Sequence, residues 1–193
     1  MARPRKFDEE RAVDAALEAF WTAGYEATST QDLCDATGLG RSSIYNTFKS
    51  KHDLFRRALH SYMERRTGEL VELMQGGLPT REKIRVLLER VIAEESEHEE
   101  DGRGCLVVNA AVELAARDAE VASELARDYR HRLDALASAF ERGRCQGDID
   151  SAKDPAALAH FVIATIGGLR VSARAGADRA VLEGVARTAL AAI

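Results

Sequence analysis

The sequence of 193 residues is poor in proline and cysteine and contains no long apolar run. Its three prolines, Pro4, Pro79 and Pro155, fall where helices have not begun or are about to begin. The three cysteines are odd in number and lack metal-type spacing, which argues against a disulfide framework and a zinc module. No stretch of about 18 apolar residues occurs, and no apolar segment follows the charged start. We therefore expect a soluble, cytoplasmic protein with no membrane partner.

No segment alternates between apolar and polar residues, so the sequence predicts no β-sheet. Apolar residues instead recur at helical spacing. Gly24 and Gly38 indicate helix ends, and Thr28–Gln31 and Ser50–Asp53 match the capping box that begins a helix. The predicted helices span residues 8–23, 29–36, 41–47, 51–75, 81–98, 105–116, 119–145, 155–174 and 179–192. We expect an all-α fold of about nine helices.

The net charge of −5 is unevenly distributed. Five basic residues and one acid lie between Gly38 and Arg57, whereas the stretch from Glu94 to Asp101 contains six acids and no lysine or arginine. A local basic patch attracts phosphate even when the whole chain is acidic. The charge pattern is therefore compatible with a nucleic-acid partner.

Two short predicted helices, 29–36 and 41–47, are joined by about four residues that contain Gly38, as in a helix-turn-helix. The three N-terminal helices have a predicted core of Ala12, Ala16, Phe20, Leu33, Ala36, Leu39, Ile44 and Phe48. The third helix then turns Arg41, Ser42, Tyr45 and Asn46 outward, where they suit base edges and phosphates in a major groove. The N-terminus of the second helix, beside Thr28, is suited to bind a phosphate through its backbone amides. The alternative is a small helical corner with a solvated basic edge.

The stretch TSTQDLCDATGLGRSSIYNTFKSKHDLFRRAL resembles the N-terminal signature of the TetR family of regulators. The resemblance is dense over residues 10–60 and implies a homodimer that binds double-stranded operator DNA. The DNA contacts it implies, with flanking residues, are Thr28, Thr30, Arg41, Ser42, Ser43, Tyr45, Asn46, Lys49 and Lys51. Gly40, Asn46, Thr47 and Lys49 depart from the residues usual in the family, which leaves the base preference open.

We expect a helix-turn-helix domain over residues 1–50 and a ligand-binding and dimerisation domain over residues 51–193. The helices after residue 155 are apolar on too many faces for a monomer. Gly167 and Gly168 favour a close approach of helix backbones there. A dimer through the last two helices is therefore predicted, and it would match a palindromic operator.

The segment GRGCLVVNAAVELAARDAEV resembles the sixth helix of a TetR subgroup that includes electrophile-responsive and detoxification-linked repressors. Cys105, Asn109 and Glu113 repeat there at four-residue spacing and share one helix stripe. With Tyr129 and Phe161 they form the predicted wall of an inducer pocket. The alternative is a buried thiol beside a surface amide and carboxylate. A reactive thiolate would need a cationic or helix-start environment, which Arg103 and Gly104 could supply.

These patterns predict a ligand-released repressor that needs no cofactor and is not an enzyme. An acidic metal site over residues 94–101 with His98 is a weaker alternative, because no second histidine or cysteine cluster accompanies it. A helical enzyme with Cys105 as nucleophile lacks a visible general base. A helical protein adaptor would not need the basic third helix. The operator, the inducer and the choice between repression and activation stay open.

Overall fold

A computed structural model describes residues 5–97 and 103–193, with side chains from Glu9 onward. Nine helices and no strands occur in these ranges, which confirms the predicted all-α fold. The helices are α1 (Arg5–Ala23), α2 (Thr30–Thr37), α3 (Arg41–Phe48), α4 (Lys51–Gln75), α5 (Thr80–Glu97), α6 (Leu106–Leu114), α7 (Ala119–Gln146), α8 (Pro155–Arg174) and α9 (Arg179–Ala192). His98 and the acids after it lie outside the described residues.

Helix ends follow local sequence signals. Gly24 and Gly38 have φ values of 85° and 69°, a left-handed conformation that favours glycine and ends α1 and α2 as predicted. The Ser50 hydroxyl accepts the amide of Asp53 at 3.0 Å, as its capping pattern predicts. Asp154 caps α8, whose first residue is Pro155. Capping residues, glycines and proline thus place most helix ends within a few residues of the predicted positions.

The contacts divide the chain into two compact units. The first contains Met1–Arg65 and Cys105–Leu125, and the second contains Arg66–Gly104 and Ala126–Ile193. Neither matches the predicted division at residue 50, because Leu54, Phe55 and Leu59 of α4 are buried in the same core as α1 to α3. The segment 105–125 contributes Leu106, Ala110, Leu114, Val121 and Leu125 to that core.

In the first unit, α1 packs on α2 and α2 contacts α3, while aromatic rings of α1 meet those of α4. Phe20 meets Phe55 edge-on at 5.1 Å between centroids, and Trp21 meets Tyr62 at 5.3 Å. The predicted core of this region is buried except for two members: Leu39 is only half-buried and Ala36 is exposed. The prediction for Ala36 was wrong because α2 turns that position to solvent.

In the second unit, α5 packs against α8 and α9. Its core includes Leu88, Phe140, Val162 and Leu182, each no more than 2% exposed. Lys83 is also buried, and its Nζ donates to the Met74 carbonyl at the end of α4. A cation there satisfies one of the carbonyls that a helix C-terminus leaves without a partner.

Candidate nucleic-acid interface

The short helices α2 and α3 are joined by residues 38–40, and α3 has one buried and one exposed face. Ile44 and Phe48, four residues apart, are 1% and 0% exposed and fix α3 to the core. The opposite face exposes Arg41, Ser42, Ser43, Tyr45, Asn46 and Thr47. The structure thus places all the predicted α3 contacts on one solvent face, as a recognition helix requires.

Three of the predicted contact residues lie together on this surface. The hydroxyls of Thr30 and Tyr45 are 3.0 Å apart, and the guanidinium of Arg41 lies 5.8 Å from the centre of the Tyr45 ring. The hydroxyl pair joins the start of α2 to α3, and the cation–π contact restricts Arg41. These contacts link α2 to α3 and place the guanidinium of Arg41 beside the Tyr45 ring.

Thr28 does not occupy the predicted position at the surface. Its side chain is 1% exposed, and its hydroxyl donates to the Gly24 carbonyl at 2.6 Å, which does not favour the predicted phosphate contact from Thr28. The predicted capping box of Thr28 and Gln31 was wrong by one residue, because the capping residue of α2 is Ser29, which forms a reciprocal capping box with Asp32. Hydrogen bonds from the Ser29 backbone and hydroxyl hold the pKa of Asp32 below its usual value.

The two predicted lysines differ in their surroundings. Lys49 is exposed at the end of α3, with a φ of 57° that is unusual for a residue with a side chain. Lys51 is half-buried: its Nζ lies 4.5 Å from the centre of the Tyr25 ring and 3.4 Å from the Glu26 carbonyl. Lys49 therefore presents its charge to solvent, whereas Lys51 binds the turn after α1.

The remaining basic residues of the patch have acidic partners in the first unit. Arg56 of α4 donates to Glu124 at 2.8 Å and also pairs with Glu120. Arg57 pairs with Glu9 and, at 3.4 Å, with Asp53. The local excess of positive charge that the sequence suggested is therefore partly neutralised, and Arg41 and Lys49 are its exposed members.

A contact between His52 and Asp118 anchors the start of α7. The Asp118 carboxylate lies 2.6 Å from Nε2 of His52 and accepts the amides of Glu120 and Val121. Burial raises the pKa of Asp118, but the hydrogen bonds from Val121 and His52 lower it by more than burial raises it. The net pKa therefore lies below the usual 3.8. Sequence reasoning missed this pair because its members are 66 residues apart.

The predicted pocket residues on α6 lie in the first unit. Cys105 is buried just before α6, and the Tyr62 hydroxyl donates to its Sγ at 3.8 Å. Asn109 is half-buried. Glu113 accepts the backbone amides of Tyr25 and Glu26 at 3.1 and 2.8 Å. Its carboxylate is therefore engaged by the turn after α1, which does not support the predicted ligand contact.

The other two predicted pocket residues lie in the second unit. Tyr129 and Phe161 are 36% and 40% exposed, and the Tyr129 hydroxyl lies 3.0 Å from Nδ1 of His160. A cavity of about 320 Å³ in this unit is lined by Glu95, Arg174 and Arg179 among others, and it includes neither residue. The five residues are thus divided between the units, and their common pocket remains a prediction.

Known proteins resemble the chain over both of its parts. A family model of bacterial regulatory proteins of the tetR family matches residues 12–58, and one of tetracyclin repressor-like C-terminal domains matches residues 80–189. The chain is 31% identical to the uncharacterized HTH-type transcriptional regulator YezE of Bacillus subtilis, over 84% of each chain. It is 30% identical to the HTH-type transcriptional repressor ComR of Escherichia coli, over 97% of this chain and 90% of that one.

A solved structure extends the likeness to the whole fold. A cysteine-substituted variant of the TetR family transcriptional regulator CifR, in complex with 26 bp of double-strand operator DNA, superposes with a TM-score of 0.85 at 32% identity. The match covers 99% of both chains. With the two family models and the helix-turn-helix of α2 and α3, these likenesses show that the chain belongs to the TetR family of transcriptional regulators.

Proposed function

We propose that the protein is a repressor that binds a palindromic operator as a homodimer and is released by an inducer. The exposed face of α3 carries this proposal, because Arg41, Tyr45 and Asn46 project from a helix whose other face is fixed in the core. ComR is named a repressor, and the CifR variant was solved with operator DNA, which supports the same role for this chain. Such a protein acts on DNA in the cytoplasm.

The apolar surface of α8 and α9 supports a homodimer. Phe161 and Val171 on α8 and Val181 and Val185 on α9 are 40–56% exposed. Along α8, exposed small or apolar residues recur at three- and four-residue spacing, namely Ala157, Phe161, Ala164, Gly168 and Val171. Soluble monomers seldom expose a continuous apolar stripe of this length. A second copy of the same two helices would cover it by two-fold symmetry.

The composition of α8 is consistent with this role. Among the described helices, Pro155–Arg174 is long and apolar enough to cross a membrane by length and composition. A helix that packs on α5 and α9 with one face and on a partner copy with the other has the same composition. At Gly168 an added Cβ would meet no atom within 4 Å, so this position leaves room for a close helix approach. We therefore attribute the apolar character of α8 to dimerisation.

The dimer and the recognition helices together predict the form of the operator. Two copies of α3 related by a two-fold axis would read half-sites about 34–36 Å apart, which is one turn of DNA. Selection of duplexes from a random pool by the purified protein tests this. We expect an enriched inverted repeat and a stoichiometry of an even number of protomers per duplex. Enrichment of no sequence, or of a site without two-fold symmetry, would contradict the proposal.

We propose that the inducer acts through α6, and Cys105 is the residue through which an electrophile would act. The thiol lies at the start of α6 and contacts Tyr62, which in turn packs edge-on against Trp21 of α1. Alkylation adds atoms inside a packed core, where an extra group displaces its neighbours. A noncovalent ligand in the second unit is the alternative. Either event needs only about 1.4 kcal/mol of coupling to weaken operator binding tenfold.

N-ethylmaleimide distinguishes the two kinds of inducer. Its alkene carbon forms a bond with the thiol sulfur, and the thiol proton passes to the adjacent ring carbon. We would compare a C34S/C145S variant, which retains Cys105, with C105S, which retains the other two. Release of the operator from the C34S/C145S variant but not from C105S supports thiol sensing. Equal release, or none in either, removes Cys105 from the proposal and leaves the noncovalent ligand.

A further inference from the structure

The carboxylate of Glu113 connects α6 to the DNA-reading region. Glu113 belongs to the last turn of α6, and its two oxygens accept the amides of Tyr25 and Glu26, in the turn between α1 and α2. The conformation of the turn allows the Glu113 oxygens to approach. At Gly24, with its φ of 85°, a Cβ would lie 3.2 Å from Oε2 of Glu113, closer than most side-chain contacts. Glycine at this position therefore permits the turn and the approach of the carboxylate.

The turn held by Glu113 also contacts other parts of the first unit. The Thr28 hydroxyl donates to the Gly24 carbonyl, and the ammonium group of Lys51 lies over the Tyr25 ring beside the Glu26 carbonyl. Within this turn, Glu113 binds the N–H groups and Lys51 is near a C=O group. The turn thus has polar partners on both sides, one from α6 and one from α4.

The position of the turn determines where α2 begins. Ser29 caps α2 directly after Thr28, and Thr30 in the first turn of α2 contacts Tyr45 of α3. A displacement of the turn would therefore move the N-terminus of α2 and the hydroxyl contact that joins it to α3. Both features belong to the surface proposed to bind the operator. A displacement of about 1 Å in such a surface is enough to break hydrogen bonds to DNA.

We propose that Glu113 is a positioning residue for operator binding, which it serves by fixing the turn between α1 and α2 to α6. This inference rests on the proposed operator binding. A carboxylate that accepts two backbone amides forms charge-assisted hydrogen bonds, which are stronger than those between neutral groups. Its negative charge lies in a unit that must approach phosphates, so Coulomb repulsion alone would disfavour an acid here. In a variant that neutralises Glu113, the lost hydrogen bond should weaken operator binding, whereas the lost repulsion from phosphates should strengthen it.

The Glu113→Gln variant tests the proposal. A glutamine keeps one acceptor oxygen but turns an NH₂ group toward the second amide, so one hydrogen bond is lost. We expect affinity for the duplex selected by the wild-type protein to fall about tenfold, although a negative charge has been removed. Affinity for a scrambled duplex should stay the same or rise slightly. Glu64→Gln, at an exposed α4 residue of the first unit, is the matched control and should leave the affinity for the selected duplex unchanged.

Hydrogen exchange provides a readout that does not depend on DNA. We expect the amides of Tyr25 and Glu26 to exchange faster in Glu113→Gln, with the amides of α1 and α4 unchanged. Operator affinity equal to or tighter than wild type would overturn the proposal. An equal loss for selected and scrambled duplexes would also overturn it, because that result indicates a smaller folded fraction and not a misplaced surface. If the wild-type protein selects no duplex, the operator-binding proposal fails first, and the exchange result still shows whether Glu113 holds the turn.

Discussion

The hydroxyl oxygens of Thr30 and Tyr45 lie 3.0 Å apart and join the first turn of α2 to the exposed face of α3. Tyr45 also lies beside the guanidinium of Arg41, so three side chains from two helices form one surface. A surface ordered in this way loses little side-chain freedom when it binds DNA.

The first prediction concerns the α3 surface. Arg41→Ala and Tyr45→Ala should each weaken operator binding by tenfold or more, since a good contact to a base contributes about 1–3 kcal/mol. Tyr45→Phe removes only the hydroxyl contact with Thr30 and should lose a few-fold. Fluorescence anisotropy with the selected duplex measures all three. Arg85→Ala, which removes a surface arginine paired with Glu89, is the control. Unchanged affinity in both alanine variants would show that α3 is not the reader.

Lys49 allows charge and backbone strain to be separated. Lys49→Ala and Lys49→Gly remove the same charge, so both should weaken binding to all duplexes alike and reduce the salt slope by about one per protomer. Glycine also accepts the positive φ of this position, so Lys49→Gly should be about 1 kcal/mol more stable than Lys49→Ala. Salt titrations and urea unfolding measure the two effects. A salt slope equal to that of the wild type would show that Lys49 contacts no phosphate.

The dimer proposal predicts the effect of a charge on the α8 and α9 stripe. Val171→Glu and Val185→Glu place carboxylates on surface that a partner copy would bury, which costs on the order of several kcal/mol per unpaired charge. We expect monomers by light scattering at micromolar concentration and loss of specific operator binding. Leu78→Glu, at an exposed apolar residue between α4 and α5, should remain dimeric. A wild-type protein that is itself monomeric would refute the dimer.

The His52 and Asp118 pair predicts a pH dependence of stability. The pKa of Asp118 is lower in the folded chain than its usual 3.8, so its contribution is present above that pH and is lost as the pH falls through the folded value. Asp118→Asn keeps a good helix cap but removes the charge, and should lower the free energy of unfolding at pH 7 by about 1 kcal/mol. Urea unfolding from pH 7 downward should show the difference begin to decrease as the pH falls below 3.8. A difference that stays constant as the pH is lowered beyond this value would contradict the assignment.

The sequence by itself determined the helices and the two faces of α3. Gly24, Gly38 and Pro155 end or begin helices through their own backbone preferences, and Ile44 and Phe48 are separated from Tyr45 and Asn46 by helical periodicity alone. These signals act between residues no more than four positions apart. They also carry the family resemblance, since the recognition helix and its turn are one continuous stretch. For this reason the fold class and the α3 surface could be predicted without coordinates.

Tertiary structure decided which polar side chains are free to face a partner and which are buried or paired within the protein. Thr28 and Ser29 are adjacent and both suit a helix cap, but only burial shows that Thr28 turns inward and Ser29 caps α2. Arg56 has a partner 68 residues away, and Glu113 holds amides 87 and 88 residues before it. Pairings at such separations depend on how helices pack, because no local pattern in the chain specifies which distant carboxylate meets which amide or guanidinium. The basic patch and the role of Glu113 were therefore fixed by packing.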